Sequence, residues 1–439
     1  MSTRATLRLA TRGSRLARRQ STLVAEALED RRYEVELVTV ETTGDQIRDE
    51  LIHRLGTTGA FVRELDERVL DGEVDGAIHS MKDMPTEQPR ELVTAAVPER
   101  GPPGDVLVTP EGIGLEDLPD GASVATSSLR RGAQLRSKRP DLEVVPVRGN
   151  VDTRLEKLLA PSVQAERLER READRERRET PERYKPTYDD GDETNEDAAN
   201  DEATGETVDG ESTGDGAGST DTGAGSGGDD RTVEEWVADL SELERGALER
   251  DVETEFDAIV LAEAGLERSG LAEQVEYQPL PTTAFVPAPG QGALAVTAAD
   301  DGVAREIREA IDHARSRVET GVERILLAEL GGGCIAPIGI YAIVQGEYVH
   351  ARVQVYDREG EESVTATRDL PIETYPEAAK EFATDLADRG AADLIEAARR
   401  EADEATADSA ERIEGDSTAD SGTRSDADST DADEHEGGE

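Results

Sequence analysis

Three short apolar runs, TLRLAT (6–11), VELVTVET (35–42) and VDGAIHSM (74–81), are separated by segments of helical length. The first spacer puts Leu16, Leu23, Val24, Ala27 and Leu28 on one helical face, and the second brings Phe61, Leu65 and Val69 together. This β-α-β-α-β order predicts a parallel sheet covered by helices. Ligands of such sheets gather beyond the carboxyl ends of the strands, where Arg12, Lys82 and Asp83 fall.

The pattern resumes after Pro98. DVLVTP (105–110), ASVATSS (122–128) and LEVVPVR (142–148) read as strands, with LRRGAQLRSKR and VDTRLEKLL as helices. The next strand, FDAIVLA, begins only at Phe256, although such a helix ordinarily returns to the sheet within a few residues. Residues 160–255 therefore read as an insertion in a surface connection. Within it, QAERLERREADRERRE is expected to form a charged, solvated helix. Val233, Trp236, Val237, Leu240 and Leu243 form an amphipathic one that docks on the body or on a partner. The last folded unit, about 303–400, reads as a small α+β domain: a helical stretch 303–329, the loop GGGCIAPIG, three strand-like runs and a closing helix over about 375–400.

Charge is distributed unevenly. Among 439 residues, 100 are acidic and 49 basic, for a formal net charge of −51. From Pro186 to Asp230 there are 15 acids and no Lys or Arg, and residues 401–439 hold 15 acids against two arginines. Neither stretch has the apolar residues to offset chain entropy, so both are expected to be disordered. This balance argues against nucleic acid and anionic membrane as partners, which need a positive footprint. Lysine occurs only at positions 82, 138, 157, 185 and 380, and arginine supplies the other 44 cations. At molar salt the Debye length falls to ~3 Å, which screens such self-repulsion. A protein adapted to the high-salt cytoplasm of a halophile is expected, the alternative being an ordinary protein with acidic tails. A salt titration followed by circular dichroism tests this, and full folding at low salt would contradict the adaptation. The lone cysteine, Cys334, excludes an internal disulfide and a multi-cysteine metal cluster, and no metal is expected. The chain has no apolar run of eighteen residues and no signal-peptide core at its start, so a soluble cytoplasmic protein is expected.

Several motifs carry chemistry. In TSSLRR (126–131), Thr126, Ser127 and Ser128 end a strand, while Arg130 and Arg131 lie in the first turn of a helix. Helix N–H groups, hydroxyls and guanidiniums together make an anion site. Cations at that end of a helix oppose its dipole, so they either need an anion or are solvated surface arginines. Arg148, Gly149, Asn150 and Arg154 repeat the geometry at the next strand–helix junction. With Arg12 and Arg268, six arginines are candidates to bind a polycarboxylate. Asp83, beside Lys82, either stabilises a developing positive charge and passes protons or forms a structural ion pair. Cys334 follows three glycines, as an exposed attachment point or a small buried side chain. PGQGALAV (289–296), which contains Gln291, has glycines that let backbone N–H groups approach a ligand.

Taken together, RLATRGSRLA, AIHSMKDMP, TSSLRRGAQL, VRGNVDTRL, AEAGLERSG, PGQGALAV and LGGGCIAPIG resemble, in order, the motifs of the porphobilinogen deaminase (hydroxymethylbilane synthase) family. The resemblance runs from residue 7 to about 340 and implies a third domain to about 400. It implies two periplasmic-binding-protein-like α/β domains around a cleft, 5–98 with 281–300 and 104–160 with 255–278. A cofactor-attachment domain over 303–400 follows, with acidic segments at 161–254 and 401–439 outside the resemblance. It further implies a dipyrromethane cofactor bound through Cys334, porphobilinogen and the growing polypyrrole as ligands, and a monomer. Four porphobilinogen molecules would be added with loss of ammonia, leaving azafulvene-like cations for attack, before water releases hydroxymethylbilane.

By the same resemblance Asp83 is catalytic. Arg12, Arg130, Arg131, Arg148, Arg154 and Arg268 bind the acetate and propionate groups, helped by Ser127 and Ser128. Ser14, Lys82, Thr126, Gly149, Asn150 and Gln291 complete the binding set. The chain departs from the family pattern in the lid-like loop Thr42–Gly59, with Arg54 and Thr58 where lysines are common, and in RGPPGD (100–105) at the hinge. A carboxylate receptor of the same architecture and an acidic interaction scaffold are the competing readings. The receptor gives Cys334 no task, and the scaffold leaves the seven motifs unexplained.

Overall fold

The computed structural model describes residues 6–40, 60–179, 231–252, 254–299, 302–333 and 336–404. The lid-like loop with Arg54 and Thr58, the acidic stretch Pro186–Asp230, Cys334 and the tail from residue 405 lie outside the described residues.

Strands β1 (Thr6–Arg12), β2 (Glu34–Val40) and β3 (Gly76–Ser80) form the expected parallel set, with β1 between the other two. Helix α1 (Arg15–Glu29) starts at Ser14, whose hydroxyl accepts from the Ala17 N–H at 3.2 Å, and buries Ser21, Val24, Ala25 and Leu28. Leu23, expected on that face, lies off it and is exposed. Helix α2 (Ala60–Leu70) buries Leu65 and Val69 against the other face of the sheet. His79 sits in this domain's interior, its Nε2 2.9 Å from Asp66 and 3.0 Å from Thr297, which gives it a structural role.

Two further strands complete the sheet. β4 (Leu92–Ala96) lies at one edge, and between it and β3 runs β10 (Leu294–Ala299), antiparallel to both. The second domain repeats the plan. β6 (Ser123–Ala125), β7 (Glu143–Val145) and β8 (Ala258–Ala262) are parallel, while β5 (Asp105–Val108) runs antiparallel between β8 and β9 (Tyr277–Leu280). Each lobe thus takes its antiparallel strand directly from a segment crossing from the other lobe, 97–104 entering β5 and 281–293 entering β10. The crossings touch. Gly292, at φ +82°, lies so close to the other segment that a Cβ would stand 2.6 Å from the Gly101 carbonyl oxygen.

In the second lobe, α3 (Leu129–Lys138) follows β6, and α4 (Val151–Glu179) follows β7. A boundary at Ala160 falls inside α4, because Leu155, Leu158 and Val163 extend one buried face across Pro161. Helices α5 (Val233–Asp239) and α6 (Glu242–Leu248) each begin with a capping box and pack on α4. Trp236 is buried against Val163 and Leu240, so this segment docks on the body. The single amphipathic helix expected from Val233 to Leu243 is two, because Leu240 leaves the helical conformation at ψ 139° and Ser241 caps the second. Helix α7 (Glu263–Arg268) follows β8.

Helix α8 (Gly302–Ile311) packs Ala304, Ile307 and Ala310 into the first lobe's core beside Leu7, Leu28 and Val296. The boundary expected at 303 is therefore displaced to between α8 and α9 (Ala314–Glu329), because the apolar face of α8 has its partners in the first sheet. The C-terminal domain packs α9 and α10 (Tyr375–Leu386) against an antiparallel sheet of β11 (Ile338–Gln345), β12 (Tyr348–Tyr356) and β13 (Ser363–Pro371). The closing helix is bent by a wide turn at 387–391, where Gly390 has φ +101°, and resumes over 392–404.

One carboxylate joins all three parts. Glu323 of α9 is fully buried, and Arg100 on the first crossing donates to both its oxygens at 2.8 and 3.0 Å. It also accepts from Gly290 N–H on the second crossing at 2.7 Å and from Ala342 N–H of β11 at 2.9 Å. Burial pushes the Glu323 carboxyl above its ordinary range, against the pull of Arg100 and these N–H donors.

Candidate active site

The three domains enclose a cavity of about 480 Å³. Lys82 and Asp83 reach it from the single 3₁₀ turn Met81–Asp83 that directly follows β3. Their side chains are 40% and 45% exposed, with 3.6 Å between Nζ and Oδ1, so the pair is open to solvent and weakly bound. The turn is braced from below by Gly290, whose Cβ would stand 3.0 Å from Met81 Cγ and 3.2 Å from the Lys82 nitrogen. On the far side, Arg324 of α9 donates to the Pro85 carbonyl at 2.7 Å.

The second lobe supplies most of the positive charge. Ser127, Ser128, Arg130 and Arg131 line the cavity where β6 gives way to α3, and Arg148 and Arg154 line it where β7 gives way to α4. Ser127 accepts from the Val147 N–H at 3.1 Å, which ties the two strand ends together. Ser128 is the N-cap of α3, and Thr126 accepts from the Ser128 N–H at 3.2 Å. Gly149 has φ +117°, and a Cβ there would lie 2.4 Å from Thr153 Cγ2, so the turn before α4 requires glycine.

The two arginines of TSSLRR already have an internal anion. Asp105, fully buried, receives Arg130 Nη1 at 2.8 Å, Arg131 Nε at 3.0 Å and Arg131 Nη2 at 2.7 Å. The expectation that they need an added anion at the helix end is corrected by this neighbour, which the first crossing delivers from the start of β5. Burial would raise the Asp105 carboxyl, but the two guanidiniums overcome it and hold the group at about 2. Gln291 donates to Asp105 at 2.8 Å and to the Pro103 and Gly104 carbonyls at 2.7 and 2.9 Å. The glycines of PGQGALAV accordingly serve close packing of the crossings, and the Gly290 N–H is spent on Glu323.

One carboxylate against two guanidiniums leaves a net positive charge. Arg154 registers it: burial and then the charge of Arg131 lower its guanidinium to about 10. The burial part of that shift disfavours any charge, whereas the smaller part from Arg131 is a field that favours a bound anion. Arg154 Nε is held by the Gly149 carbonyl at 2.8 Å.

The remaining candidates stand back from the cavity wall. Arg12 ends β1, Ser14 caps α1, Thr126 is buried, and Gly149 and Asn150 shape the turn into α4. Arg268 donates to the Gly292 carbonyl at 2.7 Å and lies against the crossings. Burial lowers its guanidinium, while Glu267 opposes the shift. Cys334 lies outside the described residues, but its loop neighbours Gly331–Gly333 and Ala336 line the cavity. Reasoning from the sequence missed Arg399, which also lines it, because nothing in the local pattern ADLIEAARRE sets that arginine apart.

The family model described as "Porphobilinogen deaminase, dipyromethane cofactor binding domain" matches residues 7–170 and 242–306, and "Porphobilinogen deaminase, C-terminal domain" matches 318–389. A probable porphobilinogen deaminase of Halobacterium salinarum is 53% identical over 412 residues, spanning 90% of this chain and 99% of its own length. That of Methanococcoides burtonii is 33% identical over 392 residues, spanning 89% and 96%. Among solved structures, lipoprotein Tp32 from Treponema pallidum covers 71% of this chain and 93% of its own at 10% identity, with a TM-score of 0.31. That likeness is too slight to bear on function. The two domain models and the near full-length relatives agree with the order of motifs around the cavity, and the chain belongs to the porphobilinogen deaminase family.

Proposed function

We propose that this protein is a hydroxymethylbilane synthase, a transferase that condenses four porphobilinogen molecules with release of four ammonia molecules. Hydrolysis then frees hydroxymethylbilane. The observation that carries the reading is the convergence of Asp83, the arginine-bearing ends of β6 and β7, and the Gly331–Gly333 loop on one cavity. Each pyrrole brings an acetate and a propionate, and Arg148, Arg154 and the Arg130–Arg131 pair provide the positive field that such side chains need. Asp83 is a half-exposed carboxylate at the mouth of that field. As ammonia leaves, it stabilises the positive charge on the substrate carbon and pyrrole nitrogen, and it accepts and returns the proton that chain growth releases. The positive walls fit a polycarboxylate cofactor, and a dipyrromethane bound through Cys334 would supply the nucleophilic pyrrole that primes growth.

The carboxylate-receptor reading leaves the attachment loop unused, so it is not favoured. Among the described residues no helix is long and apolar enough to cross a membrane. A cytoplasmic monomer without nucleic-acid partners, working at high salt, completes the proposal. The test is the intact mass of the full chain and of Cys334→Ser. Wild type is expected to carry the mass of two condensed pyrroles and the serine variant none. An unmodified wild-type mass that persists after incubation with porphobilinogen would remove the proposed chemistry.

A further inference from the structure

The bend at Gly390 redirects the end of the chain. Residues 392–404 bury Ile395, Ala398 and Ala402, and Arg358 fastens them through the Ala398 carbonyl at 3.0 Å and Glu401 at 3.2 Å. This docking turns Arg399 to the cavity, where its Nη2 donates to the Gly331 carbonyl. Gly331, just past the Leu330 cap of α9, has φ +67°, and its N–H bonds the Ala328 carbonyl at 3.0 Å. A single carbonyl occupies one of the five N–H donors of a guanidinium. Among the described residues Arg399 forms no ion pair, in a chain whose acids outnumber its bases two to one.

The composition of the wall gives this arginine its significance. Besides the glycines, the C-terminal domain contributes Leu327, Ala336 and Ile338, and Arg399 is its one charged lining residue among those described. The cations of the second lobe stand on other elements, and two of them already share Asp105. A pyrrole attached beside the glycine loop would therefore set its acidic groups against an apolar surface, except at Arg399.

We infer that Arg399 is a further binding residue of the cavity and takes a carboxylate of the pyrrole unit nearest the Gly331–Gly333 loop. The inference rests on the function proposed above and adds the C-terminal helix to its binding machinery. Its charge does the binding, while its bond to Gly331 orients the guanidinium along the loop.

The test uses full-length wild type, Arg399→Lys and Arg399→Gln, each produced without a supply of porphobilinogen. Each is then incubated with porphobilinogen, and the gain of pyrrole mass is followed over time by intact-mass measurement. Melting temperature before incubation is recorded alongside. Arg399→Gln is expected to load about tenfold more slowly with an unchanged melting temperature, and Arg399→Lys to recover most of the rate. Loading of Arg399→Gln at the wild-type rate overturns the inference. So does slow loading accompanied by a lowered melting temperature, which would assign Arg399 to holding the loop. Equal slowing in Arg399→Lys also overturns it, because a retained charge would then be without effect. If wild type itself gains no pyrrole mass, the proposed function fails rather than the role of Arg399.

Discussion

Asp83→Asn is expected to leave the protein folded and to lower turnover by about 10²–10⁴-fold, read as ammonia release at saturating porphobilinogen. The asparagine is nearly isosteric, and the wild-type side chain is 45% exposed with its ion-pair partner Lys82 at 3.6 Å, so little native stability depends on its charge. The surrounding backbone is held independently. Met84 N–H bonds the Met81 carbonyl at 3.2 Å, Arg324 holds Pro85, and Gly290 packs under Lys82. What the amide lacks is the ability to stabilise a developing cation and to carry a proton. An unchanged circular dichroism spectrum with the rate lost would assign Asp83 to the chemistry. Wild-type turnover would remove it from the mechanism.

Asp105→Ala is expected to cost about 3–5 kcal/mol of stability, measured by denaturant unfolding at high salt. The substitution leaves Arg130 and Arg131, 4% and 7% exposed, without their buried counter-ion, and strips Gln291 of one acceptor. Two uncompensated guanidiniums in a water-poor site repel each other, so both the second lobe and the crossing that enters β5 should loosen. An unfolding midpoint equal to wild type would show that another anion serves the pair. Acid provides a second measure. The folded carboxyl is held at about 2, below the ordinary 3.8, so its contribution is fully present above the unfolded value. It is lost as pH falls from there through about 2, amounting to about 2 kcal/mol. Stability should fall on acidification through this window in wild type and less steeply in Asp105→Asn.

Asp83 and Asp105 show why part of the site was legible and part was not. Lys82 and Asp83 directly follow an apolar run whose strand character is evident from TLRLAT–VELVTVET–VDGAIHSM, and the end of a parallel strand is a known place for chemistry. TSSLRR and VRGNVDTR carry their own strand–helix signals, so the placement of Ser128, Arg131, Arg148 and Arg154 followed from local pattern. Asp105 is different. It begins an ordinary strand, and only the crossing from the first lobe carries it under Arg130 and Arg131, 25 and 26 residues away in sequence. Glu323 and Arg100 are likewise unremarkable in sequence and meet across 223 residues.

By itself, the sequence determined the parallel cores of both lobes, the separate C-terminal α+β unit, the acidic segments and the family. Each of these depends on periodicity, composition or contiguous motifs, which are properties of neighbouring residues. Tertiary structure alone decided that β10 enters between β3 and β4 and that β5 lies between β8 and β9. It also decided that α8 belongs to the first lobe, and that Arg399 faces the loop before Cys334. An antiparallel strand inserted from a distant segment has no local signature, because its partners are chosen by burial of both faces in an already formed sheet. For the same reason an arginine on a terminal helix acquires a role only when a bend such as that at Gly390 directs it to a cavity built by three domains.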